Sequence, residues 1–531
     1  MNTKGDIKMR RKDIFPKIMC TQHPDSVSKY IATQKEVEEA VEAALKYECD
    51  EYMPDYEGKA TPYHQNVQIV SKFIEETDLI PGNNFYITPR VPSATQENRF
   101  RQIMVMMSIA EANYNSHEFS STQAITELIH PMTSTTEEII ESQKHMVEVG
   151  ELAKKEFQFE METPRVIPLI EDVQGLLNAE ATVENTISST EKMLDQDLDK
   201  YRVFIGKSDS ALSFGHVASA LSCKYAINEL CGLEKKIDTN IGIIFGAGTL
   251  PFRGHLNRQN APNFFEEYKG ISTITLQSAI RFNHSENESR ELIKYAREKL
   301  SGSPETYDQN AKTDLINMIA ILGSRYNQVI QHIAPTVSCI SSLMPQQRDR
   351  LIHGSSTGYS REIPEISGIT SLCRKDIAEE LEKSIPSEML SFPRAIKFTG
   401  ALYSIGLPPE VIGLGNALED IRKTIGEDAF EALIQKYFPS MGSDLNFAFG
   451  YLDLRSADRF LPAFAQRSLQ KDVDILKDIF DIDHDCDPSY RKLLEIMQPE
   501  LIRPDEQPDE NVSHIIESTL LQMAKIRRTV G

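Results

Sequence analysis

Eight short apolar runs recur at nearly even spacing along the first half of the chain. Each run is followed by a polar cluster and then by a stretch with helical periodicity. Successive runs start 33 to 40 residues apart, which is the length of one strand–helix unit. The runs begin at Ile14, Cys49, Phe85, Ile125, Arg165, Lys200, Asn240 and Thr273.

This repetition predicts an α/β fold, a (β/α)8 barrel of the TIM type. An open doubly wound sheet is the alternative, but no G-x-G-x-x-G follows the first run, which disfavours its dinucleotide-binding form. After Asn283 long helical stretches dominate, with no Ser/Gly-rich linker before them. We therefore expect a single catalytic domain over residues 1–531, with the barrel over 14–282 and mainly helical additions over 283–531.

The formal net charge of −22 limits the partners of the protein, since 57 Lys and Arg oppose 79 Asp and Glu. It argues against nucleic acid and anionic membranes, which bind basic surfaces. No apolar run approaches the roughly 18 residues of a membrane span. The seven cysteines form no CxxC pair, which indicates reduced thiols and a cytoplasmic location. A local pocket of arginines still allows a small anionic substrate.

The candidate site consists of the polar residues that end the apolar runs, because the carboxyl ends of barrel strands form the active face. Acids, histidines and arginines at so many consecutive strand ends predict one convergent site for an anionic substrate. The set is His23, Asp55 with Glu57, Arg90, His130, Glu171 with Asp172, Asp209, Arg253 and Arg281.

Glu171 and Asp209 end neighbouring runs and offer carboxylates without His or Cys partners, a donor set that suits Mg²⁺ or Mn²⁺. The alternative is that Glu171 or Asp172 caps the following helix. His23 stands before Pro24, which restricts its backbone to extended geometry, and its imidazole is suited to act as acid or base. A structural role is the alternative for a histidine at a strand end.

Arg253 lies in the glycine-containing stretch FGAGTLPFRGH, where Gly248 and Gly254 allow close approach of a ligand. Arginine is the residue suited to bidentate recognition of phosphate or carboxylate. Further arginines in loop-like contexts are Arg348, Arg350, Arg361 and Arg394.

Taken together, these motifs resemble the archaeal-type phosphoenolpyruvate carboxylase family over essentially the whole chain. Each motif is short, but their order and number are specific to that family. The matching stretches are CTQHPD at 20–25, TPRVP at 88–92, VIPLIED at 166–172, GKSDSALSFGH at 206–216, GTLPFRGH at 248–255, GYSRE at 358–362, FPRAIKFTGALYSIGLPPEVIGLG at 392–415 and the closing MAKIRRTVG.

The resemblance implies a barrel of the phosphoenolpyruvate/pyruvate superfamily with C-terminal helical additions. It implies an anaplerotic enzyme, a carboxy-lyase that converts phosphoenolpyruvate and bicarbonate to oxaloacetate and phosphate, through carboxyphosphate and a metal-stabilised enolate. It further implies a homotetramer. By position it assigns catalysis to His23 and Arg253, substrate binding to Arg90, Arg361, Arg394 and Gly531, and Mg²⁺ or Mn²⁺ to Glu171 and Asp209.

The sequence departs from the larger plant and bacterial enzymes at three positions. Ala247 replaces their first glycine-loop arginine, Leu212 a lysine, and Thr529 an asparagine linked to feedback inhibition. Lys207 and Arg348 are alternative sources of the missing positive charge. Two other functions remain open at this stage: a metal-dependent aldolase for 2-oxo acids on the same barrel, which would not need bicarbonate, and a catalytically inactive metabolite-binding module.

Overall fold

The structure is a computed structural model that describes residues 14–22, 32, 35–56, 63–300, 302–345, 365–386, 392–503 and 508–531. This part of the chain contains an eight-stranded parallel sheet with the strand order β3-β2-β1-β8-β7-β6-β5-β4. The strands are β1 (Ile18–Thr21), β2 (Glu51–Met53), β3 (Tyr86–Ile87), β4 (Glu127–His130), β5 (Arg165–Ile170), β6 (Lys200–Gly206), β7 (Asn240–Gly246) and β8 (Thr273–Leu276).

The two outer members of that order, β3 and β4, are joined by an isolated parallel bridge between Arg90 and Ile129. The Val91 N–H donates to the Ile129 oxygen, and the Ile129 N–H donates to the Pro89 oxygen, each over 2.9 Å. The sheet is therefore a nearly closed barrel. Each strand lies within one of the eight apolar runs, which confirms the predicted (β/α)8 fold.

Helices surround the strands and lie between them in the sequence, as the spacing of the runs predicts. Their bounds are α1 (Glu36–Leu45), α2 (Gln65–Glu76), α3 (Arg99–Ser120), α4 (Thr136–Phe157), α5 (Val173–Leu177), α6 (Ala179–Leu194), α7 (Lys207–Phe214), α8 (His216–Leu233), α9 (Ala261–Glu267) and α10 (Ser278–Asn283).

The second half of the described chain is helical, with short 3₁₀ segments at 409–411 and 458–460 and a π-helical turn at 433–437, and a further 3₁₀ segment at 251–253 follows β7 in the barrel. Its helices are α11 (Glu286–Lys299), α12 (Gln309–Ser342), α13 (Ser367–Leu372), α14 (Lys375–Ser384), α15 (Ala395–Ser404), α16 (Leu414–Thr424), α17 (Glu427–Ala432), α18 (Met441–Phe449), α19 (Leu454–Ala457), α20 (Ala463–Phe480), α21 (Pro488–Ile496) and α22 (Glu510–Arg527).

The helix α12 is the longest helix of the described chain and packs tightly on α7, which directly follows β6. A methyl group at Gly323 would lie 2.2 Å from the Phe214 ring, so the glycine permits this close contact. Gly215, between α7 and α8, has φ +85° and lies against the Tyr326 ring. The helical additions therefore fix the position of α7, which carries Asp209.

The barrel interior contains a buried ionic network near the amino ends of the strands. Arg202 donates to both carboxylate oxygens of Glu51, over 2.6 and 2.8 Å, and to Glu127 over 3.0 Å. The Thr88 hydroxyl also donates to Glu51. An apolar layer completes the interior, formed by Met19, Met53, Ile129, Ile167, Leu169, Phe204 and Ile244.

All seven cysteines are free thiols, as their spacing indicates. Among the helices described, none is both long enough and apolar enough to cross a membrane. The division of the chain into one catalytic domain over 1–531 stays a prediction.

Candidate active site

Glu171 and Asp209 occupy the carboxyl ends of adjacent strands. Glu171 is the first residue after β5, and Asp209 is the third residue of α7, which begins where β6 ends. A methyl group at Gly206, the last residue of β6, would lie 2.9 Å from the Glu171 Cβ and 3.3 Å from its Oε2. Glycine at this position therefore leaves room for the Glu171 side chain against the end of β6.

The donors in this region fit a hard divalent cation. Within the described residues, no group of three or more His, Cys, Asp or Glu side chains is arranged to hold a metal ion. Two carboxylates at neighbouring strand ends match the way Mg²⁺ binds, with few protein ligands and with water and substrate oxygens completing the shell. Glu171 and Asp209 are the residues that would hold the ion.

Asp172 is the residue that caps the helix after β5, a role that the sequence allowed for either Glu171 or Asp172. Its carboxylate accepts from the Gly175 N–H over 2.7 Å and caps α5. Burial raises the pKa of Asp172. The helix-cap interpretation therefore applies to Asp172.

Arg253 lies in the turn after β7 and is only 1% exposed. Its guanidinium donates to the main-chain oxygen of Gly531 over 2.6 Å, to Gln277 Oε1 over 2.8 Å and to Ser208 Oγ over 3.3 Å. A methyl group at Gly248 would lie 2.9 Å from the Arg253 Cζ, so the glycine allows the turn to fold back over the guanidinium. These contacts fix the orientation of the side chain at the ends of β6, β7 and β8.

Gly531 and Arg394 are brought together through α15. A methyl group at Gly531 would lie 1.8 Å from the Ile396 oxygen, which leaves space for glycine alone. Arg394 is the exposed N-cap residue of the same helix, two positions before Ile396. One short helix therefore begins at Arg394 and contacts Gly531, which is both a predicted substrate-binding residue and the partner of Arg253.

Arg90 follows β3 and lies near Asp55, with 3.7 Å between Arg90 Nη1 and Asp55 Oδ2. The Asp55 N–H donates to Gln22 Oε1 over 3.0 Å, so the chain segments after β1, β2 and β3 meet here. The predicted residues His23 and Arg361 lie outside the described residues, as do Glu57, Arg348 and Arg350.

Two residues of the candidate set, His130 and Arg281, hold parts of the fold together, and His130 is the first of them. The imidazole of His130 accepts from the Ala94 N–H over 2.9 Å and contacts the Thr133 hydroxyl over 2.9 Å. Burial, with a smaller contribution from Arg90, lowers the pKa of His130 to about 3, so the ring is neutral at pH 7. It braces the end of β4.

The described contacts of Arg281 are also with structural elements of the barrel. It lies on α10 and donates to the main-chain oxygen of Thr21 over 3.0 Å, with Glu39 Oε2 at 3.4 Å. Its guanidinium connects α10 to β1 and α1 and is fully buried there.

Lys207, considered as a substitute cation, is buried beneath the turn that carries Arg253. Its Nζ donates to the main-chain oxygens of Phe252 and Pro251 over 3.0 and 3.3 Å and lies 3.1 Å from His216 Nδ1. Burial lowers the pKa of Lys207 to about 8. Its described contacts make it a brace for the turn.

Gln277 and Ser208 are site residues that the sequence reasoning missed. Both hold the Arg253 guanidinium. Gln277 is the first residue after β8, so consistent selection of the first polar residue after each strand would have identified it in place of Arg281. Ser208 precedes Asp209 and carries no comparable signal.

Comparisons with known proteins agree with the resemblance. A family model described as phosphoenolpyruvate carboxylase matches residues 15–531. A phosphoenolpyruvate carboxylase from Methanosarcina mazei is 59% identical over 526 residues, 98% of this chain and 100% of the relative. One from Methanopyrus kandleri is 33% identical over 98% of this chain and 99% of its own length. A solved malate synthase from Haloferax volcanii aligns with a TM-score of 0.36 at 11% identity, over 54% of this chain and 71% of that one.

Proposed function

The chain belongs to the archaeal-type phosphoenolpyruvate carboxylase family, and we propose that it carboxylates phosphoenolpyruvate with bicarbonate to give oxaloacetate and phosphate. The observation that carries the proposal is the Arg253 guanidinium, fixed by Gln277, Ser208 and Gly531 at strand ends that adjoin Glu171 and Asp209. A buried, oriented cation at the same end of the barrel as two carboxylates suits a trianionic phosphorylated substrate that binds with a divalent metal.

The reaction is a phosphoryl transfer followed by a carbon–carbon bond formation. A bicarbonate oxygen attacks the phosphorus of phosphoenolpyruvate and displaces the enolate of pyruvate, which leaves carboxyphosphate. Loss of the carboxyphosphate proton accompanies its cleavage to CO₂ and phosphate. The enolate carbon then attacks CO₂ to give oxaloacetate, so the atoms of both substrates are conserved in the two products.

Positive charge is needed where negative charge develops, on the phosphoryl oxygens and then on the enolate oxygen. Arg253 supplies one such charge from an orientation set before substrate binds, which is the arrangement that contributes most to this kind of catalysis. Mg²⁺ or Mn²⁺ held by Glu171 and Asp209 would supply Lewis-acid stabilisation of the same oxygens. Arg90, Arg361 and Arg394 are assigned to the carboxylate and phosphate groups of the substrates.

His23 is the proposed base. It stands two residues after β1 in the sequence and directly before Pro24, and a residue that precedes proline favours an extended backbone. An imidazole with an ordinary pKa near 6.5 can accept the proton of carboxyphosphate at neutral pH. Exclusion of water from the pocket keeps the enolate from being protonated to pyruvate.

The test is turnover of phosphoenolpyruvate, bicarbonate and Mg²⁺, coupled to malate dehydrogenase and NADH oxidation. We expect oxaloacetate and phosphate in equal amounts, and activity that depends on both bicarbonate and a divalent metal. Cleavage of a 2-oxo acid that needs no bicarbonate would support the aldolase alternative. Substrate binding without turnover under any metal would support a binding module.

Quaternary structure and location are further parts of the proposal. The family resemblance supports a homotetramer, which sedimentation equilibrium of the purified protein tests directly. A cytoplasmic location rests on the cysteine content, and fractionation of cells that express the protein tests it.

A further inference from the structure

Arg253 is connected to the end of α22 through a continuous series of hydrogen bonds. Its Nη1 donates to the main-chain oxygen of Gly531 over 2.6 Å. The preceding residue, Val530, accepts from Arg527 Nη2 over 3.1 Å, and Arg527 Nη1 donates to the Tyr490 hydroxyl. Arg527 is the last residue of α22, so it links the end of that helix to Tyr490 and to Val530, the neighbour of Gly531.

The series returns to the same turn from the other side. The Tyr490 hydroxyl donates to the main-chain oxygen of Tyr403 over 3.0 Å. The Tyr403 hydroxyl donates to Glu410 Oε1 over 3.0 Å, and the same oxygen accepts from the Phe252 N–H over 2.8 Å. Because Phe252 is bonded to Arg253, the contacts form a closed ring, which we name the Arg527 ring.

Arg527 is an unusual member of this ring because it is buried without a carboxylate partner. It is 4% exposed, and among the described residues no carboxylate lies within ion-pair distance of it. Its partners are a phenol, a main-chain oxygen and the rings of Tyr403 and Tyr490, whose centroids lie 5.5 and 5.7 Å from its Cζ. Burial of an arginine on neutral partners is costly, and an apolar side chain would pack there at lower cost.

Residues 530 and 531 pack closely against α15, and Arg527 holds them through the Val530 oxygen. A methyl group at Gly400 would lie 2.4 Å from the Val530 oxygen, so these residues rest directly on α15. The Thr529 hydroxyl also donates to the Gly531 oxygen over 3.2 Å. A small displacement of this segment would move the oxygen that orients the Arg253 guanidinium.

We propose that Arg527 is a positioning residue: it holds residues 530–531 so that Gly531 orients the guanidinium of Arg253. It acts through Arg253 and does not itself touch substrate. The role of Arg253 in turnover rests on the proposed function, whereas the coupling between Arg527 and the turn at 248–255 is a property of the fold. The two can therefore be measured separately.

The variants are Arg527→Met and Arg527→Lys, with Arg528→Met as the matched control. Arg528 is the next residue, its side chain is 45% exposed, and its Nη1 pairs with Glu288 over 2.8 Å. Tyr490→Phe is a second probe, since it removes the hydroxyl that connects Arg527 to Tyr403. Circular dichroism melts establish that each variant is folded, and Arg527→Lys and Tyr490→Phe serve if Arg527→Met does not fold.

The first measurement is hydrogen exchange of peptides covering 248–256 and 520–531, which needs no activity. We expect faster exchange in both peptides for Arg527→Met and for Tyr490→Phe. In Arg528→Met we expect the 248–256 peptide to exchange as in the wild type. Unchanged exchange at 248–256 in folded Arg527→Met would overturn the proposal, whatever reaction the enzyme catalyses.

The second measurement is kinetic. Arg527→Met should lower kcat about 10- to 100-fold, the scale expected when a catalytic group is misplaced by about 1 Å, and Arg527→Lys should lower it less. In an Arg253→Lys background, Arg527→Met should cause little further loss, because both changes act through one guanidinium. Independent, multiplicative losses would overturn the proposal. Faster exchange in a protein without carboxylase activity would retain the coupling and reject the proposed function.

Discussion

The guanidinium of Arg253 and the main-chain oxygen of Gly531 form a 2.6 Å hydrogen bond between residues 278 positions apart. Arg253 follows the seventh barrel strand, and Gly531 follows the last helix of the additions. The site therefore combines residues of the barrel with residues that the helices packed on it supply. The orientation of the Arg253 guanidinium depends on both parts.

Arg253→Lys should lower kcat by about 10²- to 10³-fold without loss of fold. A lysine amine offers one point charge and cannot hold Gly531, Gln277 and Ser208 together as the guanidinium fork does. Arg258→Lys is the matched control, because Arg258 is partly exposed and pairs with Glu291 over 3.3 Å. Steady-state kinetics check the prediction, and full turnover in Arg253→Lys would reject the assignment.

Glu171→Gln and Asp209→Asn should each weaken Mn²⁺ binding about tenfold or more, which corresponds to ~1.4 kcal/mol. Each change removes one of the two anionic oxygen ligands that we propose for the ion. Asp172→Asn is the control: it keeps an oxygen that can cap α5 and should leave the metal affinity unchanged. Titration with Mn²⁺ followed by electron paramagnetic resonance measures the affinity without turnover. Equal affinities in all three variants would exclude this metal site.

His23→Asn should separate the two halves of the reaction. We expect phosphate release from phosphoenolpyruvate to persist in part, and oxaloacetate formation to be abolished, because the variant lacks the base that we propose for carboxyphosphate breakdown. Phosphate and oxaloacetate are assayed separately in the same sample. His514→Asn, at an exposed position of α22, is the control. Unchanged oxaloacetate output in His23→Asn would exclude the role.

Arg202→Met should destabilise the protein by about 3–5 kcal/mol, because it leaves Glu51 and Glu127 as buried charges without their partner. The network lies at the opposite end of the barrel from the site, so KM for phosphoenolpyruvate should not change. Urea denaturation measures the loss. Adding Glu51→Gln removes one of the two charges and should restore part of it. An unchanged unfolding midpoint in Arg202→Met would contradict the prediction.

Glu410→Gln should change how stability depends on pH. Burial raises the pKa of Glu410 from 4.5 to about 7, so between those values the folded state holds a proton that the unfolded state has lost. Stability from this group therefore decreases as pH rises from 4.5 to 7 and is constant above that range. The variant lacks the decrease, which is on the order of 1–3 kcal/mol.

Thermal melts at pH 5 and pH 8 provide the check. The difference in Tm between Glu410→Gln and wild type should become more positive at pH 8. Glu431→Gln changes an exposed glutamate of α17 and should show no such trend. A difference that stays the same between pH 5 and pH 8 would mean that Glu410 is ionised in the folded protein throughout this range.

The barrel could be predicted because its physical cause is local. Parallel strands covered by helices are buried on both faces, and therefore appear in the sequence as short apolar runs at the spacing of one strand–helix unit. The ends of those runs also placed Glu171, Asp209 and Arg253 at the carboxyl ends of strands, where the structure has them.

The direction of a side chain beyond a strand end could not be predicted in the same way. Arg281 and Gln277 are four residues apart, yet Gln277 contacts Arg253 after β7, whereas Arg281 contacts the main-chain oxygen of Thr21 at the end of β1. Lys207 and Asp209 are closer still, and Lys207 is directed beneath the turn at 251–252. Gln277 precedes its helix in extended conformation, so its side chain does not follow the helical rotation that places Arg281. Lys207 and Asp209 lie on one helix, where each residue is rotated by about 100° from the last, so two positions turn a side chain to the opposite face.

The sequence by itself determined the barrel, the family and the chemical types of residue available at the strand ends, because periodicity and short motifs are local properties. Only the tertiary structure decided which of those residues meet. Gly531, Arg527 and Glu410 reach the turn of Arg253 through contacts between distant segments. Such contacts follow from the packing of the helical additions on the barrel, which leaves no periodic signal in the chain.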